Sequence, residues 1–256
     1  MPQQIMKTFQ SKTIPPTLRS IVRIVALPIG FALTMSSVHA FEPFQANYSF
    51  NIAGLFNGNA TRTLTVQDGI WNYSFKADIA SLATASEISH FRINSSKKDE
   101  GSLSPRVESL DHSYNFKFLT SRKNNTFKID WDNKIVNATN QNGNSTYPAQ
   151  VGMLDMLDLE LQVREDIKHK RLQPSYLLAD YKGVSKISFV NEGEEKVITE
   201  AGTYDTVRIR LVQENQKRKT YFWLAPKLDY LPVQVRQDDG NISYVLNLTS
   251  YKSNAK

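Results

Sequence analysis

Residues 151–167 read VGMLDMLDLELQVREDI, and beyond residue 40 they are the one stretch with a helical period. Leu154, Leu157 and Leu161 fall on one stripe, and Leu159, Val163 and Ile167 on an adjoining one, the spacing at which side chains share a helix face. Asp155 and Asp158 stand early in the segment, with Lys168, Lys170 and Arg171 late. That order complements the helix dipole. Pro174 follows the expected end. A helix over 151–167 would be about 25 Å long at 1.5 Å per residue.

On both sides of this helix the chain alternates apolar with polar residues, the mark of a half-buried strand. Tyr48, Phe50 and Ile52 alternate with Asn47, Ser49 and Asn51. Tyr73, Phe75 and Ala77 alternate with Asn72, Ser74 and Lys76. Tyr114, Phe116 and Phe118 follow the same rule, as do Phe127, Ile129 and Trp131. Past the helix, so do Val207, Ile209 and Leu211, then Tyr244, Leu246 and Leu248. Gln67-Asp68-Gly69, Asp132-Asn133-Lys134 and Asp238-Asp239-Gly240-Asn241 supply hairpin turns, because Gly, Asn and Asp tolerate positive φ. Ser95–Ser102 and Asn140–Thr146 read as solvated loops. Roughly ten strands joined by short turns predict antiparallel pairing.

The apolar face is rich in rings: Tyr48, Phe50, Tyr73, Phe91, Phe116 and Phe127 among others. Such a face must be hidden from water, at roughly 25 cal/mol per Å². One helix cannot cover ten strands. The expected fold is therefore mainly all-β, a curled antiparallel sheet forming a barrel or half-barrel, with the helix plugging or flanking its concave side. A packed aromatic core and a cavity for an apolar ligand both satisfy this requirement. Thr220-Tyr221-Phe222-Trp223-Leu224 is apolar on both faces, which places it centrally or along a pocket. The candidate ligand-binding residues are Phe116, Trp131, Tyr221 and Trp223.

The N-terminus reads as a targeting segment. Lys7, Lys12, Arg19 and Arg23 precede an apolar run, Ile24 to Met35, with no acidic residue. The run ends in SSVHA, with Val38 and Ala40 at the small-residue positions of a cleavage site. This is the pattern of a secretory signal peptide cut after Ala40. The run is shorter than the ~20 residues of a spanning helix, and Pro28 and Gly30 interrupt it. The expected product is a single β-rich periplasmic domain over 41–256, not membrane-spanning. With no cysteine in the chain, it has neither a lipid-modified N-terminus nor disulfide staples. Removing residues 1–40 takes four of the 31 basic residues and none of the 25 acidic ones, so the formal charge drops from +6 to +2. Net charge then gives no support to nucleic-acid binding.

Catalytic signals are sparse. His90, His112 and His169 lack the short paired spacing of a zinc site, and no cofactor motif appears. His112 follows Asp111, but neighbours on a strand point to opposite faces. Asp130 and Asp132 flank Trp131 on one strand face; a solvated hairpin end explains them, and paired carboxylates of an enzyme are the rival reading. Arg208, Arg210, Lys217, Arg218 and Lys219 form the densest basic cluster. It would solubilise a strand edge or meet anionic head groups, and nearby Glu214 dilutes it.

One resemblance covers essentially all of 41–251. Its elements are Asp155-Met156-Leu157, Gly202-Thr203-Tyr204-Asp205-Thr206, Tyr221-Phe222-Trp223-Leu224-Ala225-Pro226 and Asp229-Tyr230-Leu231-Pro232-Val233, followed by Gly240 and Tyr244-Val245-Leu246-Asn247-Leu248. Together they resemble bacterial exported proteins of the domain-of-unknown-function family numbered 3108. The resemblance implies a periplasmic β-rich protein and carries no activity with it. The expected function is to bind or carry a lipid or other hydrophobic ligand in the envelope. The alternatives are a structural protein with an envelope protein partner, and an enzyme on glycan or ester substrates.

Overall fold

The structure is a computed structural model describing residues 41–79, 82–94, 106–213, 218–238, 240 and 243–254. The expected signal segment, the Ser95–Ser102 loop, Glu214 and Lys217 of the basic cluster, and Asp239 and Asn241 lie outside the described residues.

Eight strands precede the helix: β1 (Phe44–Ile52), β2 (Phe56–Gln67), β3 (Ile70–Ile79), β4 (Ala83–Asn94), β5 (Arg106–Phe118), β6 (Ser121–Asp130), β7 (Ile135–Asn140) and β8 (Gly143–Pro148). A two-residue β9 (Met153–Leu154) leads into α1 (Met156–Lys168). Six strands follow: β10 (Tyr176–Asp180), β11 (Gly183–Thr199), β12 (Gly202–Gln213), β13 (Lys219–Ala225), β14 (Leu231–Asp238) and β15 (Ser243–Ser253). A 3₁₀ turn, Pro226–Leu228, separates β13 from β14. The chain is thus mostly strand, with one α-helix among the described residues.

All fifteen strands belong to one sheet, ordered β8-β7-β6-β5-β4-β3-β2-β1-β15-β14-β13-β12-β11-β10-β9. It is two meanders joined where β1 pairs antiparallel with β15. Local chemistry explains the hairpins. Asp68 and Gly69, at φ 51° and 80°, make the two-residue turn in which Gln67 pairs with Ile70, a geometry that needs positive φ at both centres. Only β9 and β10 run parallel, with α1 as their crossover.

The sheet curls without closing. The β8 edge meets the other end of the sheet, β9 and β10, through side chains. Tyr147 OH donates to the Asp180 carbonyl at 2.6 Å. A satellite cluster of Phe127, Ile129, Val136, Ala138, Met153 and Ala179 seals the seam. This covers edges that would otherwise template foreign strands.

Three expectations need correction. The described residues form fifteen strands rather than roughly ten, because polar strands such as β8, GNSTYP, show almost no alternation. Asn140–Thr146 is not one loop: β7 ends at Asn140 and β8 begins at Gly143. The helix starts at Met156, not 151, because Met153 and Leu154 pair with β10 and Asp155 caps the helix. The Asp155 carboxylate accepts the Leu157 and Asp158 N–H groups, both at 2.9 Å, satisfying donors that a helix leaves open.

The helix plugs the concave side. Ten of its thirteen residues are buried, including Asp158, Gln162, Arg164, Glu165 and Asp166. Burying such groups demands partners, and the sheet supplies them. Ser109 Oγ donates to Asp158 Oδ2 at 2.6 Å, and the Val107 N–H to Gln162 Oε1 at 2.9 Å. Tyr176 OH donates to Asp166 Oδ2 at 2.9 Å. Arg164 donates two hydrogen bonds to the Asp229 carbonyl, at 3.1 and 2.9 Å. The rod is thereby bolted to β5, β10 and the 3₁₀ turn.

Candidate functional site

The two ends of the curled sheet differ. At one end the rings fill the interior. Phe41 meets Trp71 edge-on with centroids 5.9 Å apart, Trp71 stacks on Phe91 at 6.0 Å, and Phe44 meets Tyr73 at 6.0 Å. All five side chains are buried. At the other end the interior is open. A cavity of about 410 Å³ lies there between the first meander, the second meander and the N-terminal half of α1.

Small side chains create this volume. Ala77 on β3 pairs with Ala85 on β4, and Ala85 with Phe116 on β5, all three at the cavity wall. Phe50, Ile52, Phe75 and Ile79 continue that wall. The facing wall carries Ile209, Leu211, Phe222, Val235 and Leu246. α1 forms the floor with Met156, Leu157, Glu160 and Val163. The strands that form these two walls contribute alternate residues, so the period-2 pattern of the sequence is what makes the lining apolar.

Glu87 and Tyr114 on the β4–β5 wall and two further sets of polar groups interrupt it. On the floor, Arg62 of β2 pairs with Glu160 of α1. Tyr73 OH donates to Glu160 Oε1 at 2.7 Å and accepts from Arg62 Nη1 at 3.1 Å. Burial opposes the Arg62 charge, but Glu160, Tyr73 and Tyr48 outweigh it and hold its pKa above the ordinary value. Burial also pushes the Tyr73 hydroxyl up, so it stays neutral. Toward the opening stand Gln213, Arg218, Thr220, Gln237 and Tyr244. Such a cavity, mostly apolar with a few fixed polar groups, is of the size that takes small molecules.

Beside the helix N-terminus lies a separate polar layer. Asp158 is fully buried. Burial, then the neighbouring Asp155 charge, raises its pKa well above the carboxylate range. His112 stacks on Phe127 at 5.4 Å and faces Glu87 at 3.5 Å. Burial lowers its pKa, but the Glu87 bond and the charges of Asp155, Glu87 and Asp111 reverse the sign. His90, not His112, contacts Asp111, at 2.7 Å.

Of the four candidate ligand-binding residues, Phe116 lines the cavity. Tyr221 and Trp223 do not line it, because Thr220, Phe222 and Leu224 are the inward members of β13. Trp223 instead donates from Nε1 to Glu195 Oε2 at 3.0 Å. Trp131 is at the seam, where its Nε1 donates to the Ser109 carbonyl at 2.9 Å. β13 does line the cavity, through the face opposite to the one that carries Tyr221 and Trp223. Arg62 and Glu160 went unnoticed, and only their cross-fold pairing marks them. Asp130 accepts two bonds from Asn133, at 2.9 and 2.8 Å, and so secures its own turn. Arg208 and Arg210 pair with Glu192 and Glu195 across the β11 bulge, at 2.6 to 3.2 Å. That network neutralises this part of the basic cluster.

Comparison with solved structures finds a likeness in fold to a beta-barrel-like protein from Brucella abortus, of the domain of unknown function DUF1849. The TM-score is 0.53 and the identity 11%, over 83% of this chain and 98% of that one. Comparison with curated proteins finds no match. A family model described as "Protein of unknown function (DUF3108)" matches residues 43–249, which spans the strands from β1 into β15 together with the cavity they enclose. The chain belongs to that family.

Proposed function

We propose that this protein is an exported periplasmic protein of the cell envelope that binds or carries a lipid or another hydrophobic ligand in the open end of its curled sheet. The observation that carries this reading is the apolar cavity of about 410 Å³. A chain that fills one end of its sheet with stacked rings places two alanines at the other, and the space stays open. Apolar surface lining an open volume costs roughly 25 cal/mol per Å² when left against water, and an acyl chain removes that cost. The Arg62–Glu160 floor and the ring of Gln213, Thr220 and Gln237 give a ligand with one polar end two places to be oriented. The N-terminal pattern through Ala40 supports export.

The test has two arms. Purified protein is extracted with organic solvent and the extract analysed by mass spectrometry, and delipidated protein is titrated with a fluorescent fatty-acid probe. A co-purifying lipid, or saturable probe uptake that competes with unlabelled fatty acid, is expected. Neither lipid nor uptake would remove the reading. For export, cell fractionation of the full chain against a chain lacking residues 2–40 should move the protein from the periplasmic to the cytoplasmic fraction.

A further inference from the structure

The cavity opens at the end of the sheet where β1, β3, β5, β12 and β14 finish and β2, β4, β6, β13 and β15 begin. Its lining residues Ile52, Ile79, Phe116, Gln213 and Tyr244 are all within a few positions of those strand ends. The same end holds five large exposed apolar side chains: Leu55 at 76% exposure, Phe56 at 43%, Phe118 at 47%, Leu119 at 59% and Val212 at 37%. Leu55 and Leu119 are at hairpin tips, in the β1–β2 and β5–β6 turns. The tips are stitched sideways into one rim. The Ala53 N–H donates to the Ser243 carbonyl at 2.8 Å, and the Leu119 N–H to the Leu82 carbonyl at 3.0 Å.

Leucine and phenylalanine at hairpin tips contribute nothing to the core and cost solubility, so a cluster of them marks an interaction surface. Its charge says what kind. Among the described residues near these strand ends, Lys117, Arg122, Lys123, Arg218 and Lys219 are exposed cations. Among the described residues, the acidic side chains beside them are those of Asp78 and Asp238, with Glu87 deeper in the cavity wall. Apolar tips that project past a collar of cations match a bilayer surface carrying anionic head groups. The tips enter the acyl boundary while the cations stay at head-group level.

We propose that this rim docks on an anionic phospholipid bilayer, so that the cavity mouth faces the membrane and its ligand passes between the two without crossing water. The proposal deepens the carrier reading by naming where the ligand enters and leaves.

The chain has no cysteine, so single Leu55→Cys, Leu119→Cys and Ile198→Cys variants each take one polarity-sensitive fluorophore. Ile198 is 78% exposed near the β11–β12 turn, at the other end of the sheet. The full chain is used throughout, and the apolar segment 24–35 is common to all three proteins. Vesicles are phosphatidylcholine with about 30 mol % phosphatidylglycerol. Emission should shift to the blue at positions 55 and 119 and stay unchanged at 198. The shift should be at least halved when salt rises from about 0.05 M to about 0.5 M. No shift at 55 and 119 overturns the proposal, and so does an equal shift at 198. Blue shifts without fatty-acid uptake would keep the docking and remove the carrier reading; uptake without shifts would do the reverse.

Discussion

Arg62 on β2 and Glu160 on α1 form an ion pair inside the curled sheet, with their side chains only 9% and 10% exposed. The pair joins the plug to the wall and forms part of the cavity floor. Breaking a buried pair by removing one partner typically costs about 3–5 kcal/mol, because the other charge is left uncompensated. Glu160→Ala should lower the unfolding free energy by that amount in urea denaturation. The double variant Arg62→Met with Glu160→Leu should recover most of the loss, since desolvation nearly offsets the attraction in the native pair.

Asp158 should give stability an unusual pH dependence. Its folded pKa is raised, by burial and by Asp155, above the ordinary 3.8. The folded state therefore holds the proton over a range where the unfolded chain releases it. This contribution is complete below about pH 4 and is lost as pH rises through the folded value, by up to about 1.4 kcal/mol per unit. Asp158→Asn keeps an acceptor for Ser109 but does not titrate. Wild type and variant should unfold with similar free energies near pH 3, and the variant should gain on wild type as pH rises. Urea unfolding across that range checks it; curves that stay parallel would show that Asp158 titrates normally.

The two sides of the sheet should respond differently to substitution. Phe116→Ala removes ring surface from the cavity wall, and Ala85→Leu fills the volume beside it. Each should weaken fatty-acid probe binding about tenfold, the effect of losing about 1.4 kcal/mol. Trp223→Phe acts on the far side, against Glu195, and should leave probe affinity unchanged. Equal losses in all three variants would mean that the probe binds elsewhere.

At Gly58, β2 leaves no room for a side chain. A Cβ built there meets the Asp78 carbonyl and the Phe50 ring. The carbonyl is backbone and cannot move aside, so Gly58→Ala should destabilise by at least about 2 kcal/mol. The same substitution at Gly54, in the adjacent turn, meets nothing within 4 Å. Its cost should be limited to the strain of φ +74°, roughly 1 kcal/mol. Thermal unfolding of the two variants side by side separates contact from strain.

The strand and helix character of the chain was legible because it is local. Alternation in Tyr73-Ser74-Phe75-Lys76-Ala77 follows from the pleat, the Asp68-Gly69 turn from positive φ, and the single helix from leucine spacing. The need to curl was legible too, because the apolar face exceeds what one helix covers. Polar strands such as β2 and β8 were not, since backbone pairing with neighbouring strands holds them in the sheet and alternation is weak in them. Nor was the phase of β13, where both faces are apolar and only the position in the sheet chooses the inner one. Tertiary structure alone decided which rings pack and which volume stays open. Arg62 and Glu160, which meet on the cavity floor, are 98 residues apart. Such distances in the chain carry no periodic signal, because the pairing is fixed by how the two meanders meet at β1 and β15.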